Sequence, residues 1–336
     1  MEKRFTIKEV AAQSGVSFRT VSRVINNDPH VKAETRERVL QVIKETGFEA
    51  NLLARSLRGK GTNTVLALIE QHEEKYWGIY HTEIIHELIR QAKRKGYHLL
   101  ISASSARDFH AENDGFNLLR QGLADGVLMF DTKSGDRRIE YLRQHHIPFV
   151  ILGKDRDFDN TSYVDMDNIY VGEMGVEYLA HKGRRNIIVF LGEQDFIVNQ
   201  ERAEGILRAK ALFPEVNVQI KHGITDVQDA YEQARILLGN DHERYDAFFV
   251  SGDERAIGVY RAVGEKGLRI PSDISILGVD NIRLSTYLSP PLTTIDQRNT
   301  HMAHEAFKIL YDQMVHRNFD ANRVLLSPWL VERGSA

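Results

Sequence analysis

The chain has 336 residues, 42% of them hydrophobic and 27% charged, the balance of a folded protein of two or three domains rather than of a disordered one. It holds no cysteine, which excludes disulfides, thiolate metal sites and cysteine nucleophiles, and no apolar run reaches the length of about 18 residues that a membrane-spanning helix needs. The net charge of −3 hides an asymmetry: residues 1–60 hold 12 Lys and Arg against 7 Asp and Glu, the remainder 32 against 40, so a basic segment precedes an acidic body, a pattern that points to an attached nucleic-acid-binding module.

The N-terminal MEKRFTIKEVAAQSG is charged and amphipathic and lacks the apolar stretch and cleavage site of a signal peptide, the expectation for a cytoplasmic protein. Thr6-Ile-Lys-Glu9 has the form of a capping box, and Ile7, Val10 and Ala11 then share one helical face. Gly15 breaks that helix at a short turn, and Ser17 is placed to cap a second one. On the second helix Val21, Val24 and Ile25 point inward, which leaves Phe18, Arg19, Thr20, Ser22 and Arg23 outward, with Ser17 and Asn26 at its two ends. After the loop NNDPH, Val39, Val42 and Ile43 mark a third helix that Gly47 ends. A helix-turn-helix core with hydrogen-bond donors near the start of its second helix suits the major groove of DNA, where an arginine can grip guanine O6 and N7. Two readings stay open at this level. Phe18 meets a thymine methyl or packs on the third helix, and Arg19 and Arg23 read bases or hold phosphates.

The run TIKEVAAQSGVSFRTVSRVINNDPHVKAETRERVLQVIKETGFEANLLARSLR resembles, without gaps over about 60 residues, the DNA-binding headpiece of the lactose-repressor/galactose-repressor family of bacterial regulators. The resemblance implies that Phe18, Arg19 and Arg23 read operator bases. Lys32 departs from it, standing where members often have a serine that caps the third helix. The next segment, Asn51 to Arg58, is the right length for a two-turn helix of about 12 Å, too short to be stable alone in water. We expect it to fold when two copies meet over the operator. Leu57 would then wedge into the minor groove, Leu53 or Ala54 would pack beside it, and Arg55 and Arg58 would hold phosphates. A flexible tether is the alternative and fits Gly59 to Thr64 better than it fits the apolar part.

From Thr64 short apolar runs (VLALI, YHLLIS, GVLMF, PFVIL, NIIVFLG, DAFFVSG, ISILGVD) alternate with amphipathic helical stretches. That alternation predicts parallel sheets with helices on both faces, and its length predicts two α/β lobes with strand carboxyl ends facing a cleft. The pieces GYHLLIS, YVDMDN, RAEGILRA, GLRIPSDISILGVDN and PPLTTIDQ resemble the effector-binding core of the same family, itself similar to periplasmic sugar-binding proteins. The expected organisation is a headpiece over 1–50, a hinge and linker over 51–62, and a core over 63–336. Its first lobe is expected at about 63–163 and 293–325, its second at about 164–292 and 326–336.

No dinucleotide-binding glycine pattern, Walker sequence, nucleophile elbow or H-E-x-x-H occurs, and the histidines are scattered. The expectation is therefore no enzyme, no cofactor and no metal. The cleft residues implied by the resemblance are Arg202, which opens R-x-x-G, the strand-end Asp280, and Tyr80 and His81 at aromatic positions, with His81 replacing the usual phenylalanine. For Arg202 and Asp280 an interlobe ion pair is the alternative. Three further departures are Gly153-Lys154 where an aspartate often follows the strand, Gly252-Asp253 in place of Asn-Asp, and Phe196 in place of a polar residue. They favour an oligosaccharide stacked on aromatics or an anionic sugar met by Lys154 and Arg202. Ile84, Ile85, Leu88 and Ile89 give one helix an apolar surface wide enough for a dimer interface as well as for sheet packing, and a two-half-site operator calls for a dimer. The chain ends in LVERGSA without a leucine heptad, so a coiled-coil tetramer is not expected. The resulting expectation is a regulator, a repressor of carbohydrate-utilisation genes switched by a small sugar. Its rivals are a cytosolic solute-binding protein or a carbohydrate-processing enzyme on the same scaffold.

Overall fold

The computed structural model describes residues 5–25, 28–48, 61–71, 77–241 and 245–336. They form two compact units, divided between Thr62 and Asn63.

The described residues of the first unit form three helices. α1 (Ile7–Ser14) opens with the expected capping box: Thr6 Oγ1 accepts from Glu9 N at 3.4 Å, and Glu9 Oε2 accepts from Thr6 N at 2.7 Å. Gly15 ends it at φ 65°, a left-handed turn that glycine adopts without strain. α2 (Phe18–Ile25) begins where Ser17 Oγ accepts from Thr20 N at 3.1 Å. α3 (Ala33–Thr46) starts at Lys32 with no side-chain cap, as the missing serine implied. Val10, Ala11, Val21, Val24 and Val39 are buried between the three helices.

The described residues of the second unit form two sheets of six strands. The strands are β1 (Thr64–Glu70), β2 (His98–Ser104), β3 (Gly126–Phe130), β4 (Phe149–Leu152), β5 (Tyr163–Met166), β6 (Asn186–Phe190), β7 (Asn217–Lys221), β8 (Ala247–Val250), β9 (Ser275–Val279), β10 (Thr293–Asp296), β11 (Arg323–Leu326) and β12 (Trp329–Val331). The orders are β11-β5-β4-β3-β1-β2 and β12-β10-β9-β8-β6-β7. The helices between them are α4 (Ile79–Arg94), α5 (Phe116–Arg120), α6 (Arg137–Gln144), α7 (Asn168–His181), α8 (Ile197–Leu212), α9 (Val227–Asp241), α10 (Asp253–Glu265) and α11 (Asn299–His316).

Strand residues alternate between two cores, as a sheet covered on both faces requires. Val65, Ala67 and Ile69 of β1 join the core under α4 and α11, whereas Leu66 and Leu68 join Phe116 and Leu119 of α5 and Ile139 and Leu142 of α6. In the second sheet Ile187 and Val189 face α7 and α8, and Ile188 and Phe190 face α9 and α10. α7 and α8 lie unusually close: a Cβ on Gly205 would stand 1.9 Å from the Ile169 carbonyl oxygen, so only glycine fits there.

The chain crosses between sheets after β5, after β10 and between β11 and β12. The expected boundaries at 163 and 292 are thus corrected: residues 163–166 complete the first sheet and 293–296 the second, because each strand is finished before the chain leaves it. The sheets are parallel except for β12, which runs antiparallel to β10. Only Ser327 and Pro328 separate β11 from β12, so no helix can return the chain, and it enters the second sheet from the cleft side.

Candidate nucleic-acid interface and ligand cleft

In the three-helix unit the outward face of α2 is intact. Phe18 is 53% exposed and takes no part in the small core, which answers the question of whether it packs on α3. An aromatic ring held in water beside an exposed Arg19 is unfavourable for folding alone and is available to a partner. Arg23 is solvent-facing, its Nε 3.7 Å from Asp28, a loose surface pair that leaves the guanidinium donors available. Ser17 and Thr20 are partly committed, because their hydroxyls bond each other at 2.9 Å. Ser22 is half-buried. Asn26 and the hinge residues Asn51, Leu53, Ala54, Arg55, Leu57 and Arg58 lie outside the described residues.

In the larger unit a cavity of about 230 Å³ opens between the two sheets. Much of its polar wall comes from residues at or just past strand ends: Asp131 and Thr132 after β3, Gly153 and Lys154 after β4, Asp165 near the end of β5, Glu193 after β6, Asp280 after β9 and Gln297 after β10. Parallel strands put their carboxyl ends on one side, so the turns converge there. Two of the turns are strained: Asp131 has φ 52° and Asp280 φ 115°, conformations that non-glycine residues adopt where the surrounding structure enforces them, often at functional sites.

Arg202 lies one helical turn before Gly205, so the close packing of α8 on α7 carries its side chain toward the cavity. Its Nε donates to Asn168 Oδ1 at 3.0 Å, Nη1 to Ser251 Oγ at 2.6 Å and Nη2 to Gln297 Oε1 at 2.9 Å. The Gln297 amide in turn donates to Asp280. Arg202 and Asp280 are therefore joined through Gln297 within one lobe and do not form an interlobe ion pair. Burial lowers the Arg202 pKa and the Asp280 charge opposes this; burial raises Asp280, and Arg202 and Arg255 pull it back.

Tyr80 and His81 stand in the first turn of α4 and line the cavity, as expected. His81 Nε2 lies 2.9 Å from Asp131 Oδ2. Burial opposes protonation of the ring, but the Asp131 charge and hydrogen bond raise its pKa above the ordinary histidine value. Phe196 is buried at the start of α8 and lines the cavity, with the Lys133 ammonium 4.4 Å from its ring centroid.

Of the other two expected cleft residues, Lys154 keeps its place and Asp253 is corrected. Lys154 lines the cavity, but its Nζ donates to Glu201 Oε1 at 2.9 Å, and Arg156 reaches the same oxygen at 3.0 Å. Asp253 is not on the cavity wall. It is fully buried at the start of α10, where its carboxylate accepts from Ile282 N at 3.1 Å and Thr294 Oγ1 at 2.6 Å. Burial, with Asp280 nearby, raises its pKa well above the ordinary value, and the absence of a Cβ on Gly278 makes room for it. It ties α10 to β10 and is structural.

The sequence reading missed Asp131, Asp165, Asn168, Glu254, Arg255 and Gln297, all on the cavity wall. Asp165 is buried and accepts from Met166 N and Asn168 Nδ2; burial and the Glu201 charge push its pKa up to about 7. A usable signal existed, since several of these are polar residues at or just after a predicted strand. Among the described residues no group of His, Asp and Glu could hold a metal ion, and no helix is long and apolar enough to cross a membrane.

Comparison with known proteins follows the same division. Residues 6–51 match the family described as bacterial regulatory proteins, lacI family, and residues 176–336 match the periplasmic binding protein-like domain. The chain is 30% identical over 336 residues to the HTH-type transcriptional repressor PurR of Mannheimia succiniciproducens, covering 98% of both chains. It is 33% identical to the PurR of Proteus mirabilis, covering 98% of this chain and 96% of that one. Among solved structures it is similar to the transcriptional regulator CelR in complex with cellobiose (TM-score 0.74, 26% identity, 99% and 100% covered). It also shares its fold with a lac repressor dimer bound to operator and the anti-inducer ONPF (TM-score 0.85, 24% identity, 99% of each chain).

Proposed function

The chain belongs to the lacI family of bacterial regulatory proteins, and from that premise we propose that it is a cytoplasmic repressor of carbohydrate-utilisation genes whose interlobe cavity takes a sugar as effector. It is a sequence-specific DNA-binding transcriptional regulator, with α2 as the helix that enters the major groove. Arg19, Arg23 and Phe18 read bases in this proposal, and two chains bind the two half-sites of an operator. The half-buried Ile85 and exposed Ile89 of α4 contribute to the interface between copies, since Ile84 and Leu88 are spent on the sheet. The hinge role of Leu57, with Arg55 and Arg58 on phosphates, rests on the sequence pattern.

The observation that carries the effector reading is the Arg202–Gln297–Asp280 chain in a cavity that Tyr80 and Phe196 also line. A carboxylate with free lone pairs beside aromatic faces suits vicinal hydroxyls on a ring. The similar CelR binds cellobiose by the description of its complex, which supports the same class here. An anionic sugar loses its support, because Lys154 is held by Glu201 and Arg202 by three neutral acceptors.

A thermal-shift screen tests this. Neutral mono- and disaccharides, sugar phosphates and nucleobases are added to the purified protein. A ligand at about 100 times its dissociation constant adds about 2.7 kcal/mol of apparent stability, a shift of several degrees. Stabilisation by a nucleobase and by no sugar sinks the effector reading. Failure of the protein to retard any palindromic fragment from neighbouring promoters at low salt sinks the operator reading.

A further inference from the structure

α4 begins without a cap of its own. Its N-cap residue is Gly78, which has no side chain to accept from the first turn, and no neighbouring side chain among the described residues caps it. The partner comes from the other lobe: Glu254 Oε2, 175 residues away, accepts from Ile79 N at 2.9 Å. Gly78 makes the approach possible, because a Cβ there would stand 2.8 Å from Glu254 Oε2. Glu254 also lies in the first turn of its own helix, α10. Glu254 thus sits in the first turn of one helix while its carboxylate caps another, where the partial positive charge of the helix N-terminus favours an anion.

The helix so capped is the one that carries Tyr80 and His81. Trp77, Gly78, Tyr80, His81 and Glu254 all line the cavity, and α4 extends from there to the exposed Ile89. Separating the lobes would remove the cap and leave the Ile79 amide to water, which links closure of the lobes to order in this turn. A glutamate in the first turn of a helix is common and would need no explanation if it served α10 alone. Its second helix, the opposite lobe and the glycine shaped to receive it are what call for one.

We propose that Glu254 is a positioning residue that couples closure of the lobes to the first turn of α4, and through that turn to Tyr80 and His81. The coupling works in both directions, since whatever orders Tyr80 and His81 also favours the capped, closed arrangement. The link to an effector rests on the reading given above, but the coupling itself exists in the free protein and is tested there.

The chain has no cysteine, so Asp159→Cys in the first lobe and Glu232→Cys in the second accept spin labels without background. Interlobe distances are measured by pulsed electron resonance on the full-length, ligand-free protein, and amide exchange is followed over residues 79–82. Glu254→Ala is expected to populate longer distances and to speed exchange of Ile79 about tenfold, the scale of a lost helix cap. Glu254→Gln, which keeps an acceptor, restores most of the protection, an outcome that simple loss of packing would not give. Gly78→Ala displaces the carboxylate while leaving Glu254 in place and is expected to reproduce the Glu254→Ala result; it remains informative if that variant folds poorly. Distances and exchange unchanged from the parent in both Glu254→Ala and Gly78→Ala overturn the proposal. None of these readouts needs a sugar, so failure here is distinct from failure of the effector reading.

Discussion

Lys154, just past the end of a strand in the first lobe, donates a 2.9 Å hydrogen bond to Glu201 on a helix of the second. Burial works against the lysine charge, and the Glu201 hydrogen bond with the Asp165 and Glu201 charges more than restores it, leaving the pKa above its ordinary value. Glu201 is also held by Arg156, so the pair is part of a small cluster joining the lobes.

Lys154→Ala is therefore expected to leave affinity for a neutral sugar within about threefold, since a group already bonded to protein offers little to a ligand, and Arg156 still answers Glu201. Calorimetry with the sugar found by the screen measures it. A loss of a hundredfold or more would make Lys154 a direct ligand after all.

Arg202→Ala removes the donor from Asn168, Ser251 and Gln297 at once. Each buried acceptor left dry costs about 1–3 kcal/mol unless water reaches it. The expected variant melts at lower temperature, still retards operator DNA in the cold, and no longer responds to effector. Unaltered effector affinity by calorimetry would contradict this.

Asp165 supplies a pH dependence with a definite sign. Its pKa rises from an ordinary 3.8 to about 7, through burial first and then the Glu201 charge. Between those values the folded chain binds a proton that the unfolded chain has released. The contribution to stability is full below the unfolded value and falls as pH rises through about 7. Asp165→Asn cannot ionise, so its stability relative to the parent should increase from pH 5 to pH 8, by on the order of a few kcal/mol. Urea denaturation at the two pH values decides it, and a difference that does not change with pH would refute the assignment.

Phe18→Ala separates binding from folding. The ring is 53% exposed and outside the helical core, so headpiece stability should change by no more than about 0.5 kcal/mol. Operator affinity should fall with loss of preference at one base step. Arg23→Ala should relax preference at its own position by about 1–3 kcal/mol. Binding-site selection on each variant checks both; an unchanged preference for Arg23→Ala would reduce that arginine to a phosphate contact.

Much is legible in the sequence alone. The helix-turn-helix followed from capping signals and helical spacing, and Thr6, Glu9, Gly15, Ser17 and Gly47 all do what their types suggest. The alternating strands and helices followed from short apolar runs, because a strand buried on both faces has little choice of residue. Tyr80, His81, Phe196, Arg202 and Asp280 were named from the family resemblance and do line the cavity.

What the amino-acid sequence determined by itself was local: which segments form helices or strands, and which polar residues end them. It could not determine which of those polar residues meets a ligand. Asp253 and Asp280 look alike as acids beside strand ends, yet one is bonded to Ile282 and Thr294 inside the wall while the other faces the cavity. Lys154 looked free because its partner lies 47 residues away, and nothing in the sequence pairs the N-terminus of α4 with Glu254, 175 residues away. Periodicity records that a side chain is buried or exposed. Whether its hydrogen bonds are already satisfied depends on long-range neighbours, and those exist only once the two lobes are folded against each other.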